Sequence, residues 1–297
     1  MKEKTEIQFI AEECINRWGG ADSNTKDFDS KLEIFIDQLK NYKHIENILI
    51  ELIKHFKYYK REKIISIFHF FHKKLTEEKK LKEELTIYCP IEGNNEKLNS
   101  SFTFLEEYRL ENNISSNFGY RLDVISEEDL KHIDNLIFID DIIGSGKTII
   151  DFFKKNISKI KKVNIYILCI EIMYEGFNNL ENFLKKQNIK YEILFHHKSK
   201  KAFLNNKIFS ENSSENETHL REFEKMLWKG KNNFILGYNN SQALISFFRN
   251  TPNNTLSSFW FEGKKWQPLF SRNFKKPLFI KERSKINYNL KKASSTK

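Results

Sequence analysis

Apolar residues recur at three- and four-residue steps through residues 7–75, which is the spacing of amphipathic helices. They form four stripes, and two adjacent glycines, Gly19 and Gly20, end the first stripe in the manner of a helix C-cap. Helices with one apolar face pack against one another or against a neighbouring domain. We therefore expect residues 1–84 to form an all-helical N-terminal extension. Its predicted helices cover residues 7–18, 28–39, 45–56 and 64–75.

From residue 85 the pattern changes to short apolar runs that alternate with helical spacing. The predicted strands cover residues 85–91, 135–140, 163–172 and 191–195, and the predicted helices cover residues 101–111, 149–160 and 174–187. Such alternation is typical of an α/β fold with a mainly parallel sheet flanked by helices. We assign residues 85–280 to this α/β domain. In such sheets, ligands bind at the carboxyl ends of the strands.

Beyond residue 198 the pattern is less regular. It predicts helices over residues 217–228 and 237–248, and then an aromatic stretch that contains Trp260, Phe261 and Trp266. Aromatic residues in such runs are more often core; the alternative is a C-terminal hood whose rings stack on the base of a ligand. Residues 281–297 lack an apolar pattern and are assigned to a basic flexible tail.

The formal net charge of +10 is confined to one end of the chain. Residues 264–297 carry all of the excess, so residues 1–263 are formally neutral. Alternating basic and aromatic residues in this C-terminal strip suit a nucleic acid, because phosphates attract the charges and bases stack on the rings. The alternative is a solvated tail whose lysine stems cover apolar residues.

The cysteines and the hydropathy pattern bear on the compartment. Cys14, Cys89 and Cys169 are far apart and in no metal or redox spacing, so we expect no disulfide framework and a reducing environment. The start of the sequence carries acids where a signal peptide would be apolar, and no uncharged apolar run approaches the ~18 residues of a membrane span. We expect a cytoplasmic protein without membrane association.

One segment carries the residues of a recognisable chemistry. Residues 137–148 read Ile-Phe-Ile-Asp-Asp-Ile-Ile-Gly-Ser-Gly-Lys-Thr, so a buried strand ends in two acids and a glycine-bearing loop leads into a helix. Backbone N–H groups of the loop and the helix N-terminus can bind a phosphate, assisted by the hydroxyls and the lysine. The acids can accept hydrogen bonds from sugar hydroxyls or hold Mg²⁺. The segment predicts a phosphorylated-sugar site formed by Asp140, Asp141, Gly144, Ser145, Gly146, Lys147 and Thr148.

Two other interpretations of this segment compete with the phosphate site. A P-loop ends in Gly-Lys-Thr as this segment does, but its first glycine would have to stand at position 141, which is Asp141. An ordinary strand-to-helix connection with solvated acids would suffice for a lone glycine pair. Two adjacent acids that close an apolar strand, followed by Gly-Ser-Gly-Lys-Thr, favour the phosphate site.

The same residues resemble the signature of type I phosphoribosyltransferases, which act on phosphoribosyl pyrophosphate (PRPP). The match holds at Asp140, Asp141, Ser145, Gly146 and Thr148. It departs at Gly144, where base-salvage members often carry an acid that helps handle the base. A purine-salvage role is therefore not indicated.

The helical extension, the acid pair and three C-terminal segments together resemble phosphoribosyltransferase-like proteins of bacterial conflict and antiviral systems. The three segments are residues 236–243, 250–255 and 266–272, and the resemblance covers residues 85–273. It implies that Asp140 and Asp141 bind the ribose hydroxyls and, with Mg²⁺, act in catalysis, and that residues 144–148 bind the 5′-phosphate.

The resemblance also implies two further loops. The loop for the diphosphate would be residues 92–101, with Lys97, Ser100 and Ser101 as donors; an exposed polar loop is the alternative. A mobile flap before the acid-pair strand would contribute Arg121, for which a solvated surface charge is the alternative.

Two functions follow as hypotheses. The first is a Mg²⁺-dependent enzyme that acts on PRPP or a related phosphorylated ribose as an effector of antiviral defence. The second is a non-catalytic module on the same fold that senses a nucleotide or associates with nucleic acid. In either case, the basic C-terminal strip or the helical extension would contact a nucleic acid or a defence-system protein, and an oligomer is compatible with the sequence.

Overall fold

Four parallel strands form the main sheet of the computed structural model, which describes residues 5–93, 99–204, 207–230 and 232–272. Their order is β2, β3, β4, β5, and they cover Thr86–Pro90, Asn135–Ile143, Asn164–Met173 and Tyr191–Ser199. Strands covered on both faces are near-continuously apolar, as β3 and β4 are. The predicted parallel sheet is confirmed, and β3 extends three residues beyond the predicted end, to Ile143.

Helices cover both faces of this sheet, as predicted for an α/β fold. On one face, α5 (Ser100–Glu111) packs with α4 (Arg61–Lys73). On the other face lie α6 (Lys147–Lys155), α7 (Ile157–Ile160) and α8 (Tyr174–Lys186). Each face buries its own apolar cluster, so β3 is fixed between two packed layers.

The predicted N-terminal helices are present as α1 (Glu6–Arg17), α2 (Phe28–Asp37), α3 (Lys43–Lys54) and α4. Thr5 caps α1 in a capping box with Gln8, which satisfies N–H groups that the first turn leaves unpaired. A short strand, β1 (Lys57–Tyr59), lies between α3 and α4 and pairs in parallel with β6 (Ile245–Phe247). Three residues are too few to show a strand period, and the partner is distant in sequence.

The helix predicted over residues 237–248 is wrong. The structure has a 3₁₀ turn at Tyr238–Asn240 and then β6, whereas the other predicted C-terminal helix is present as α9 (Ser213–Leu227). Within residues 236–242, five residues have a positive φ, between +52° and +79°, which a right-handed helix does not accommodate. They are Leu236, Gly237, Asn239, Asn240 and Gln242. The apolar spacing was helical, but backbone conformation overrode it.

The N-terminal helices and the C-terminal aromatic stretch bury one shared apolar cluster. The ring of Phe270 stacks on that of Phe56, with 4.8 Å between ring centroids, and Trp266 meets Phe35 edge-on at 5.1 Å. Trp260 is 1% and Trp266 5% exposed, so both are core residues. The division of the chain at residue 84 stays a prediction; the described parts on either side of it share this cluster.

The cysteines and the lengths of the helices bear on the compartment expected from the sequence. All three cysteines are buried free thiols. Across the described ranges, no helix combines the length and apolar character that spanning a bilayer requires. Residues 273–297, which contain most of the basic strip and the predicted tail, lie outside the described residues.

Candidate ligand-binding site

The acid pair lies where the side chains of β3 stop alternating strictly between the two faces of the sheet. Ile139 and Ile142 are three residues apart, yet both pack into the same apolar cluster, which strict alternation would forbid. Asp140 Oδ1 accepts a hydrogen bond from the N–H of Asp141, and Asp141 Oδ1 accepts one from the N–H of Ile142, both at 2.9 Å. The interruption and these bonds fix both carboxylates at the carboxyl end of β3.

Ser100, at the start of α5, joins this pair. Its hydroxyl lies 3.1 Å from Asp140 Oδ1 and 2.8 Å from Asp141 Oδ1. A hydroxyl has one proton, so it can donate to only one carboxylate at a time. Asn99 caps α5 by accepting from the N–H of Ser101 and donates to the carbonyl of Ile91, which ties the helix start to the end of β2. Ser100, a candidate residue of the predicted diphosphate loop, therefore lies beside the two acids.

The two carboxylates are electrostatically in conflict. Burial, and then the charge of Asp141, raise the pKa of Asp140 well above its ordinary value. In the described ranges no group of three or more His, Cys, Asp or Glu side chains is arranged to hold a metal ion. An all-oxygen pair of this kind suits a hard divalent cation that takes its remaining ligands from water and from a bound phosphate compound. Donor hydroxyls of a sugar would relieve the same repulsion.

The loop after β3 is packed from both sides. A Cβ on Gly144 would lie 2.0 Å from Nδ2 of Asn254, and a Cβ on Gly176, in the first turn of α8, would lie 2.2 Å from the carbonyl oxygen of Gly144. Gly146 has a φ of +77° and is the N-cap of α6, where it offers no side-chain cap. The loop therefore has little room to move. The uncapped start of α6 is suited to an anion.

The remaining loop residues supply polar groups of different accessibility. Lys147 is exposed, and its Nζ pairs with Asp151 Oδ2 at 2.7 Å, one turn along α6. Thr148 is also exposed, and Ser145 is half-buried, with its carbonyl accepting from Asn179. Because Lys147 already has a carboxylate partner, we expect backbone N–H groups and the two hydroxyls to dominate anion binding here.

A cavity of about 990 Å³ contains the acid pair and the loop. Of the predicted site residues, it is lined by Asp140, Asp141, Ser100, Gly144, Ser145, Gly146, Lys147 and Thr148. Arg121 is not among the lining residues; its guanidinium pairs with Glu92 and Asp123, both at 2.8 Å, and is half-exposed. Lys97 lies outside the described residues. The structure thus brings together the end of β3, the start of α5 and the loop 144–148, but not Arg121 of the predicted flap.

The opposite wall of the cavity was missed by sequence reasoning from the residues alone. It is formed by side chains between β6 and the end of the described chain, which we call the hood: Phe247, Arg249, Asn250, Asn253, Asn254 and Arg272. Phe247 and Arg249 fell in or beside the wrongly predicted helix. The segments 250–255 and 266–272 were singled out by resemblance, and no periodicity placed them at the site.

Asn254 explains the departure of this chain from the signature at Gly144. Its amide occupies the space that a side chain at position 144 would fill. Its backbone carbonyl also lies 2.1 Å from where a Cβ on Gly237 would be. The hood thus presents a neutral amide over the loop at position 144.

Gly144→Ala is expected to lower the free energy of unfolding by about 1–3 kcal/mol, because the methyl group overlaps the Asn254 side chain. Adding Asn254→Ala vacates that space, so the double variant is expected to recover most of the loss. Thermal unfolding of the wild type, both single variants and the double variant forms the double-mutant cycle. Strictly additive effects would contradict the contact.

A second polar cluster, centred on Glu171, links the main sheet to β1. Glu171 on β4 is 1% exposed and accepts from Lys57 Nζ at 3.0 Å, Tyr59 OH at 3.0 Å and His197 Nδ1 at 2.9 Å, as well as from Ser199. Burial raises the pKa of Glu171, but hydrogen bonds from His197 and Ser199 and the charge of Lys57 outweigh it and leave the pKa below its ordinary value. The cluster ties the main sheet to β1 and, through β6, to the hood.

One protein family matches most of this chain. The family model PRTase-CE matches residues 32–272, which run from within α2 to Arg272. No curated protein matches the chain. Among solved structures, the Helicobacter pylori xanthine-guanine-hypoxanthine phosphoribosyltransferase is 12% identical, with a TM-score of 0.33, and the match covers 48% of this chain and 84% of that one.

Proposed function

The chain belongs to the PRTase-CE family, and from this membership and the geometry of the cavity we propose that it binds PRPP or a related phosphorylated ribose with Mg²⁺. One observation carries the proposal: Asp140, Asp141, Ser100 and the loop 144–148 line a single cavity. Neither the acids nor the loop alone would specify a sugar phosphate. Cavities of roughly 300–1,000 Å³ hold ligands of this size.

Each part of the cavity has a role in this proposal. The N–H groups at the start of α6, with Ser145 and Thr148, bind the 5′-phosphate. The carboxylates of Asp140 and Asp141 accept hydrogen bonds from the ribose 2′- and 3′-hydroxyls. Mg²⁺, when bound, would neutralise the diphosphate charge at the acid pair and Ser100. Binding of the ribose would relieve the repulsion that the two buried carboxylates impose on each other.

We propose that the bound compound is a donor in glycosyl transfer. The bond between C1′ and the diphosphate oxygen breaks with its electron pair on the oxygen, and the acceptor forms the new bond at C1′ and releases its proton to solvent. Positive charge that develops on the ring would be stabilised by the carboxylates of the acid pair. Because Gly144 carries no acid and Asn254 lies over it, the acceptor would meet amide groups of the hood.

Isothermal titration tests the binding step. The protein is titrated with PRPP, ribose 5-phosphate and nucleoside monophosphates, each with and without Mg²⁺. We expect saturable binding of PRPP that Mg²⁺ strengthens. Failure of all these compounds to bind would refute the proposed function.

Turnover distinguishes an enzyme from a nucleotide-sensing module on the same fold. Release of pyrophosphate from PRPP, measured with candidate acceptors, is expected for transfer and would refute a purely sensory role.

The resemblance of the C-terminal segments to proteins of bacterial conflict systems supports a proposed role as an antiviral effector. Nucleotide pools compared between infected cells that express the wild type and cells that express an inactive variant test that role.

A further inference from the structure

Arg272 lies on the hood wall of the cavity and is fixed by two hood segments. Its backbone N–H donates to the carbonyl of Trp260 at 3.3 Å, and its Nη1 donates to the carbonyl of Thr251. The guanidinium carbon is also 6.0 Å from the centre of the Trp260 ring. The bond to Thr251 uses one of the five N–H donors of a guanidinium. The side chain is therefore held in place with donor capacity left over.

The other cations of the cavity are already paired with carboxylates. Lys147 pairs with Asp151 at 2.7 Å, and Arg249 pairs with Glu107 at 3.1 Å. Arg272 has no carboxylate within 4.0 Å in the ranges that the structure describes. A half-buried cation without a direct ion pair, lining a cavity, is a binding group for an anion.

The surroundings of Arg272 agree with this charge imbalance. Burial lowers the pKa of Arg272, and the charge of Asp141 opposes that effect. Asp141 therefore acts on the guanidinium across the cavity without a direct ion pair. An anionic group bound between Arg272 and Asp141 would pair with the guanidinium. A cation held by the acid pair would interact with the same anionic group from the Asp141 side.

We propose that Arg272 binds a second anionic group of the ligand, separate from the phosphate at residues 144–148. This inference rests on the proposed function, on which the group is the diphosphate of PRPP. The hood thus supplies a positive charge for the departing diphosphate. The site is therefore complete only with the hood packed as one wall of the cavity. Arg272 would favour PRPP over ribose 5-phosphate, which lacks the second anion.

The N-terminal helices determine where this cation lies. Phe270, two residues before Arg272, packs against rings of the N-terminal part of the chain: Trp18 at 5.9 Å, Phe28 at 5.9 Å, Phe56 at 4.8 Å and Tyr58 at 5.8 Å between centroids. Aromatic packing of this kind leaves few alternative positions for the backbone at residue 270. The helical extension is therefore part of the support of the anion site.

Two successive titrations at constant Mg²⁺ test the inference. The protein is first titrated with ribose 5-phosphate, and the saturated protein is then titrated with inorganic pyrophosphate. We expect the wild type to bind both. Arg272→Gln is expected to keep its affinity for ribose 5-phosphate within about twofold and to bind pyrophosphate about tenfold to hundredfold more weakly, as loss of a charge-assisted hydrogen bond predicts. Arg272→Lys keeps the charge and is expected to recover part of the loss.

Arg221→Gln is the matched control, because Arg221 pairs with Glu217 and does not line the cavity. Thermal unfolding reports whether each variant is folded; if Arg272→Gln is not, the Arg272→Lys protein is compared with the wild type and is expected to lose pyrophosphate affinity alone. Failure of the wild type to bind ribose 5-phosphate would overturn the proposed function and this inference with it. Equal pyrophosphate affinity of wild type and folded variants, or displacement of ribose 5-phosphate by pyrophosphate, would overturn the inference alone.

Discussion

Asp140→Asn combined with Asp141→Asn is expected to abolish Mg²⁺-dependent binding of PRPP without unfolding the protein. The two carboxylates are the acidic side chains at the end of β3, and the Ser100 hydroxyl lies within hydrogen-bond distance of both. Asparagine keeps the shape and can still accept from Ser100 and from the backbone N–H groups, but it binds Mg²⁺ and sugar hydroxyls far more weakly. We expect at least a hundredfold loss of affinity, on the order of two charge-assisted hydrogen bonds. Isothermal titration measures it.

The same double variant is expected to unfold at the same temperature as the wild type or above it at neutral pH. The pKa of Asp140 is raised in the folded protein, so its contribution to stability is present below the ordinary pKa of about 4 and is lost as the pH rises through the folded value. Asparagine stays neutral and escapes that loss. The difference in unfolding temperature is therefore expected to shrink as the pH falls toward about 4.

Asp123→Asn with Glu128→Gln removes two charges from exposed residues that do not line the cavity and serves as the control. This control is expected to bind PRPP as the wild type does. Wild-type affinity in the double variant of the acid pair would place the ligand elsewhere. A markedly lower unfolding temperature of that variant would show that the acids support the fold.

The floor of the cavity could be predicted from the sequence because its parts are local. Asp140, Asp141 and the loop 144–148 follow one another along the chain, and a buried strand before them fixes which edge of the sheet they reach. Ser100 was a candidate because the diphosphate loop that the resemblance implies lies between the neighbouring strand β2 and helix α5. Parallel pairing of β2 with β3 then brings the two strand ends together.

The hood could not be predicted from periodicity because distant contacts determine it. Residues 236–242 have the apolar spacing of a helix, but positive φ values at Leu236, Asn239 and Gln242 direct the chain into a different path. β6 is a strand because it pairs with β1, almost two hundred residues earlier. The position of Arg272 depends on rings contributed by the C-cap of α1, by α2 and by the segment after α3. One signal was available, which was the resemblance of the segments 250–255 and 266–272.

The floor and the hood of the cavity are therefore held in place by different contacts. The floor belongs to the main sheet, where β3 lies between β2 and β4. The hood is joined to that sheet through the pair β1–β6 and to the N-terminal helices through the shared apolar cluster. Glu171 is the polar link, because it bonds from β4 to Lys57 and Tyr59 of β1, and the Tyr59 ring stacks on Phe247 at 5.5 Å. Disturbing Glu171 should loosen the hood while leaving the floor intact.

Glu175→Gln is the control for that test. Glu175 lies four residues after Glu171 and pairs with Lys201 at 2.6 Å, but it is 46% exposed. Exposed ion pairs contribute at most about 1 kcal/mol, so this variant is expected to match the wild type in both stability and ligand affinity. A loss in the control as large as that at position 171 would show that any removed charge in this region has the same effect.

Glu171→Gln is expected to lower the free energy of unfolding by about 3 kcal/mol and the unfolding temperature by roughly 5–10 °C, because it leaves Lys57 largely buried without its counter-charge. The pKa of Glu171 lies below its ordinary value, so the stability it contributes is present above about pH 4.3 and is lost as the pH falls through the folded pKa. The gap between wild type and variant should therefore close in acid. Because Phe247 ends β6 and Arg249 follows it, PRPP affinity should fall with stability. The affinity for ribose 5-phosphate, which the proposed function assigns to the floor, should change less. Equal losses for both ligands would mean that Glu171 supports the whole sheet.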